Sequence, residues 1–277
     1  MSTNESASTT TVTPTALLIA IGLTGGVVSG LVGVGGGIVM IPLMVALLGM
    51  SQHRAHGTSL AIIVPTALAA TILYTTSDNT EIDWMVVIAL AATSVVFAAV
   101  GARITAYINP TLLRRLFAVL LLVTALRMIF SIQDVALLEL TGRELIVAAV
   151  ITGVATGLVS GTMGVGGGII MVPAMVILMG IDQVDAQGIS LAVIVPTALS
   201  GALQHLRMGN VDKRLALTIG IGGIAGGLGG AQLAQILPAP ALRAIFAAFV
   251  LFSSQRMLGL QVWIRDRIAS SRAPYAD

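Results

Sequence analysis

Two glycine-rich decapeptides, GVGGGIVMIP at 33–42 and GVGGGIIMVP at 164–173, interrupt long apolar runs of this chain. Glycine triplets sit poorly inside a helix. A break in apolar surroundings also leaves backbone groups with no water to satisfy them. A chain that makes the same break twice must bury both in protein or line a cavity with them. That requirement constrains the fold more than any other feature of the sequence.

The breaks belong to a longer duplication. VVSGLVGVGGGIVMIPLMVALLG from Val27 aligns with LVSGTMGVGGGIIMVPAMVILMG from Leu158, and GTSLAIIVPTALA from Gly57 matches GISLAVIVPTALS from Gly188. One offset of 131 residues relates Gly30 to Gly161 and Pro65 to Pro196. A weaker match relates LLRRLF at Leu112 to ALRAIF at Ala241, at an offset of 129. Internal similarity on this scale means two related structural halves, at about 15–135 and 142–265. The flanking 1–14 is polar and carries no Lys or Arg, so it lacks the basic start of a signal peptide and is expected to be a short disordered tail. Residues 266–277 form a C-terminal tail, expected on the cytoplasmic side.

Of the 277 residues, 56% are hydrophobic and 9% are charged. Soluble domains carry roughly 25% charged residues, so this surface cannot face water. Apolar runs of about twenty residues recur throughout, the mark of an all-α polytopic membrane protein. The first half predicts apolar segments at 15–32, 38–49, 52–76, 84–107 and 110–130. The second predicts 144–163, 169–180, 183–206, 213–236 and 239–260. As one helix, Thr15 to Met50 would reach about 54 Å, too long for a hydrocarbon core of about 30 Å. The segment after the glycines spans only about 18 Å. The glycines therefore mark a break or a hairpin tip.

Loop charges point to opposite orientations for the halves. Residues 50–56 and 207–214 are basic, whereas 77–83 and 181–186 are acidic. Basic loops favour the cytoplasm, which fits if the second half is inverted and each split segment crosses an even number of times. Gln52 and Gln183 should then lie on opposite faces, and Arg243 is the exception, on the external side. Inverted repeats are a common transporter plan, with substrate bound near the midplane by discontinuous helices.

After each glycine run a helix begins, at Ile38 and Ile169. Its first turn presents unpaired N–H groups and about half a positive charge, and glycines let an anion approach the backbone closely. The alternative is that the glycines only allow close helix packing. Ser59, Thr66, Ser190 and Thr197, in the two proline-containing spans, add hydroxyl donors, or else repair the helix ladder that Pro65 and Pro196 interrupt. Gly222, Gly226 and Gly230, at four-residue spacing, read as packing. Carboxylates are absent from span centres, and Arg103, Arg127 and Arg256 lie near span ends, where they reach the interface. The three histidines, His53, His56 and His205, have no metal-ligand spacing. Donors without acids suit an anion.

Other functions find little support. Net charge is only +2, with no basic cluster interleaved with aromatics, which argues against nucleic-acid binding. With no cysteine there are no disulfides or thiolate sites. The glycine runs lack the Lys-Ser/Thr of a P-loop, and no HExxH or G-x-S-x-G motif occurs. No cofactor or metal is expected.

The duplicated GxGGGxxxxP segment, each copy followed by Ser-Leu at the start of a proline-containing span, resembles the sulfite exporter TauE/SafE family of membrane permeases. The resemblance runs from about residue 15 to 260. It implies a multi-pass inner-membrane transporter of small sulfur-containing anions such as sulfite or sulfonates, commonly with eight crossings in two four-span halves. It points to Gly35, Gly36 and Gly37 with Ser59, and to Gly166, Gly167 and Gly168 with Ser190. The second copy departs from the family pattern, reading Ile189-Ser190 where Thr-Ser is usual. The expected partners are the lipid bilayer and a small anion. An anion leaving a cell that is negative inside gains about 2.3 kcal/mol per charge per 100 mV, which favours export. An anion channel and a non-transporting scaffold are the competing readings.

Overall fold

A computed structural model of the chain describes residues 14–104, 118–119, 122, 125–126, 140–163 and 167–258. The tails, most of the expected span at 110–130, and Gly164–Gly166 lie outside the described residues. Among those described the regular structure is helical: α1 (Thr15–Val32), α2 (Gly37–Leu48), α3 (Gln52–Thr75), α4 (Trp84–Ile104), α5 (Gly142–Met163), α6 (Gly168–Leu178), α7 (Gln183–Arg207), α8 (Lys213–Ile236) and α9 (Ala239–Leu258). Four of them, α1, α3, α7 and α8, are long and apolar enough to cross a membrane.

Each glycine-split segment is a hairpin. α2 does not continue α1 but runs back along it: Gly36 packs on the Gly25 carbonyl and the Met40 side chain fills the space over Gly25. The second half repeats this, with Gly167 against Thr156. The turn is possible because Gly33, Gly35, Gly36 and Gly167 adopt positive φ, a region that side-chain-bearing residues enter only at a cost.

The halves interlock through exchanged pairs. α1 of the first half lies parallel to α8 of the second, so close that added Cβ atoms at Gly22, Gly26 and Gly30 would strike the carbonyls of Ile219, Gly223 and Gly227. Gly222, Gly226 and Gly230 meet the Ile19, Leu23 and Val27 carbonyls in return. The glycine stripe read as packing therefore packs. Between lipid-soluble helices association rests on such close contact, since burial from lipid gains little. The reciprocal pair, α4 with α5, is also parallel: Gly153 faces Leu90 and Thr93, and Gly157 faces Ser94 and Phe97.

The equivalent helices α3 and α7 run antiparallel through the centre. Gly57 at the start of α3 lies against His205 and Asn210 at the end of α7, Leu60 against Gly201, and Tyr74 against Gly188. Equivalent helices pointing in opposite directions make the second half inverted relative to the first. Gln52 and Gln183 accordingly lie at opposite ends, with Gln183 buried. One end gathers the basic loops, where Arg54 pairs with Asp212 at 3.4 Å and Asp212 caps α8 by accepting from Leu215 N–H. That pair is solvated and adds little stability. The other end gathers the acidic loops, where the Glu81 N–H donates to Asp185 Oδ1 at 2.8 Å.

Candidate functional site

A helix that stops inside a membrane leaves its last carbonyls without partners. At the end of α1 side chains supply them. The Tyr74 hydroxyl of α3 donates to the Gly30 carbonyl at 2.9 Å and also reaches Gln187 Oε1 at 3.1 Å. The Ser190 hydroxyl of α7 donates to the Gly33 carbonyl at 2.7 Å. Gly33 N–H closes the turn on the Ser29 carbonyl at 2.9 Å. One cap comes from within the first half, through Tyr74, and one from the second, through Ser190. Replacing Ser190 by alanine leaves the Gly33 carbonyl buried and unpaired, and is expected to lower stability by about 1–3 kcal/mol, read as thermal unfolding of the purified protein in detergent.

The start of α2 is different. Gly36 occupies the cap position, no side chain caps the helix, and Gly37 N–H bends back to the Gly35 carbonyl at 2.9 Å. Facing this end is Ser59: its Oγ lies 3.3 Å from where a Cβ on Gly37 would stand. Ser59 is completely buried and its hydroxyl has no partner. At α6, Gly167 holds the equivalent cap position, again without a side-chain cap. Thr156 and Ser160 pack beside it, and the buried Thr156 hydroxyl also lacks a partner.

The two breaks meet, as inverted hairpins should. A Cβ on Gly168 would stand 2.8 Å from the Gly33 carbonyl and 2.9 Å from Val34 Cα. One on Gly35 would stand 3.4 Å from Ile194 Cδ1 and 3.6 Å from Ile63 Cγ2. The helix starts of both halves therefore border one central region, which offers N–H donors from Gly36, Gly167 and Gly168 and the hydroxyls of Ser59 and Thr156. Buried donors without a counter-charge are complementary to an anion.

Other residues singled out in the sequence sit less centrally. Thr66 donates its hydroxyl to the Ile62 carbonyl at 2.9 Å, and Thr197 donates to Val193 and Ile194 at 3.0 and 2.9 Å. Both are bonds back to the preceding turn of their own helix, and they go to carbonyls other than those of Ala61 and Ala192, which Pro65 and Pro196 leave without an N–H. Gly166 lies outside the described residues, as do Arg127 and the side chains of Arg103 and Arg256. His53, His56 and His205 belong to the basic end of the α3–α7 pair. No cluster able to hold a metal occurs among the described residues.

Ser29, Tyr74, Thr156 and Gln187 were not foreseen. Tyr74 and Gln187 were legible only as two of several polar residues in their spans. What they contact was not, because the acceptor of Tyr74 lies 44 residues away in another helix.

Inverted halves with discontinuous helices buried at their interface define a class: multi-pass membrane transporters. The sequence places the chain within that class. Residues 2–128 and 149–275 each match the sulfite exporter TauE/SafE family, and the chain belongs to it. It is 29% identical over 226 residues to the probable membrane transporter protein YdhB of Bacillus subtilis, covering 80% of this chain and 91% of the relative. A probable membrane transporter protein of Xylella fastidiosa is 30% identical over 229 residues, covering 79% and 85%. The archaeal MJ0441 of Methanocaldococcus jannaschii, likewise described as a probable membrane transporter, is 27% identical over 197 residues, covering 69% and 72%. The protein is a membrane transporter, embedded in a bilayer and acting on a small molecule.

Proposed function

We propose that the protein exports a small sulfur-containing anion, sulfite or an organosulfonate, across the inner membrane by alternating access. The observation that carries this is the meeting of two uncapped, glycine-started half-helices beside the buried, unpartnered hydroxyl of Ser59. A tetrahedral or pyramidal oxyanion presents several acceptor oxygens to such donors. The family's description supplies the substrate class. Ser59, Gly36, Gly167 and Gly168 are the proposed ligands, with Gly35 and Gly37 letting the anion approach the backbone closely, and Gly166 is carried as a ligand from the repeat alone. Ser190 joins them once its bond to Gly33 is released, and Thr66 and Thr197 would bind only by turning their hydroxyls away from the helix carbonyls they now serve. In the bilayer the basic end faces the cytoplasm, and the α1–α8 and α4–α5 pairs, each joined across the halves, rock against each other about the α3–α7 crossing.

Thermal unfolding of the detergent-purified protein against sulfite, sulfate, sulfoacetate, taurine, acetate and chloride tests the substrate class. Ligand at a hundred times its dissociation constant is expected to stabilise by about 2.7 kcal/mol, selectively for sulfite or a sulfonate. Ser59→Ala should lose that shift, together with at least tenfold in counterflow in proteoliposomes. Its own stability should stay within about 0.5 kcal/mol of the parent, because removing an unpaired buried hydroxyl forfeits no bond. Equal shifts for acetate and chloride, or a Ser59→Ala protein that still binds and transports, would reject the assignment.

A further inference from the structure

We propose that Ile63 and Ile194 are the gate of this transporter: a pair of apolar side chains, one from each half, that closes the central passage between the two glycine breaks. They are equivalent residues at the repeat offset of 131. Each stands at the middle of its helix, α3 or α7, and each is fully buried, at 1% and 0% exposure. Both side chains border Gly35, and each also lies against a half-helix start. A Cβ on Gly37 would be 3.2 Å from Ile63 Cδ1, and one on Gly168 would be 2.9 Å from Ile194 Cδ1. An anion held beside the start of α2 by the Ser59 hydroxyl therefore has Ile63 next to it, and Ile194 stands next to the start of α6, with Gly35 touched by both.

The chemistry of the pair suits closure rather than binding. A dry apolar constriction excludes a hydrated anion by dewetting. Isoleucine is branched at Cβ and stiff at χ1, so the passage does not open by simple rotamer flips. It opens when α3 and α7 move relative to each other. Pro65 and Pro196 follow two residues after each isoleucine, and each removes a backbone bond at the place where bending would separate the pair. The gate follows from the duplication: one isoleucine per half borders the passage beside each helix start. It rests on the proposed path past the breaks, but not on which anion takes it.

The test uses proteoliposomes of the full chain. Wild-type vesicles should hold a chloride gradient, and the double variant Ile63→Ala/Ile194→Ala should dissipate it at least tenfold faster. The valine pair Ile63→Val/Ile194→Val, which keeps the branch, should stay tight. A double alanine variant that purifies as folded protein and holds chloride as well as wild type overturns the gate. Should that variant not fold, a single cysteine at position 194 in this naturally cysteine-free chain decides. Labelled with a charged thiol reagent and washed, it should react at least tenfold more slowly than a cysteine replacing exposed His53, and its counterflow should stop. Rapid labelling, or full counterflow after labelling, overturns the proposal equally. Chloride leak in the alanine pair, with no sulfite or sulfonate transport by wild type, would reject the substrate class and leave the gate standing.

Discussion

Gly26→Val is expected to abolish recovery of folded, monodisperse protein from membranes. A Cβ at position 26 would overlap the Gly223 carbonyl and stand 2.8 Å from the backbone nitrogen of Gly227. Both obstacles are backbone, so no side chain can rotate away. Separating the helices would also break the contacts that Gly22 and Gly30 make with α8 one turn on either side. Overpacking a core ordinarily costs about 1–3 kcal/mol. Here the cost should exceed about 3 kcal/mol, because the α1–α8 seam has little besides close packing to hold it in lipid. The matched control is Gly229→Val on α8, where an added Cβ meets nothing within 4 Å and stability should change little. Size-exclusion profiles and thermal unfolding of the two variants give the comparison. Equal behaviour would mean that the seam is not what holds the halves together.

Gly36→Ala is expected to stop transport and to destabilise markedly, for two reasons that can be separated. Position 36 has φ +68°, and a side-chain-bearing residue there costs roughly 1–2 kcal/mol. An added Cβ would also run into the Gly25 carbonyl, forcing α2 away from α1 and displacing the half-helix start from the centre. Gly49 has nearly the same backbone, φ +64°, but open space around it. Gly49→Ala should therefore show the conformational cost alone and keep its flux. The difference in unfolding temperature between the two variants isolates the hairpin contact. A Gly36→Ala protein no less stable than Gly49→Ala would show that the hairpin tip tolerates rearrangement.

Much of the architecture is legible in the sequence. Hydropathy runs and glycine interruptions depend on local sequence, so the helices fall close to their expected limits, as with α3 at Gln52–Thr75 against 52–76. The antiparallel α3–α7 pair matches the inversion read from four loops, since loop charge reports the side on which a chain end lies. The length of the Thr15–Met50 segment already demanded a turn at the glycines, and α2 makes it. The hydroxyls were another matter. Ser59 and Ser190 occupy equivalent places in the repeat, yet Ser190 is spent on the Gly33 carbonyl and Ser59 is unpaired. A repeat can show that two residues are equivalent, but not which one finds an acceptor.

By itself, then, the sequence determined a duplicated, inverted, membrane-embedded helical chain with a break in each half, because length, hydropathy and charge act along the chain. Tertiary structure alone decided what the breaks face. It set Tyr74 and Ser190 as caps on α1, left Ser59 without a partner, and laid Ile63 against the start of α2 and Ile194 against the start of α6. Those outcomes turn on contacts of a few ångströms between residues far apart in sequence. They are set by how closely glycine-lined helices can approach, a property of the packed pair that neither helix carries alone.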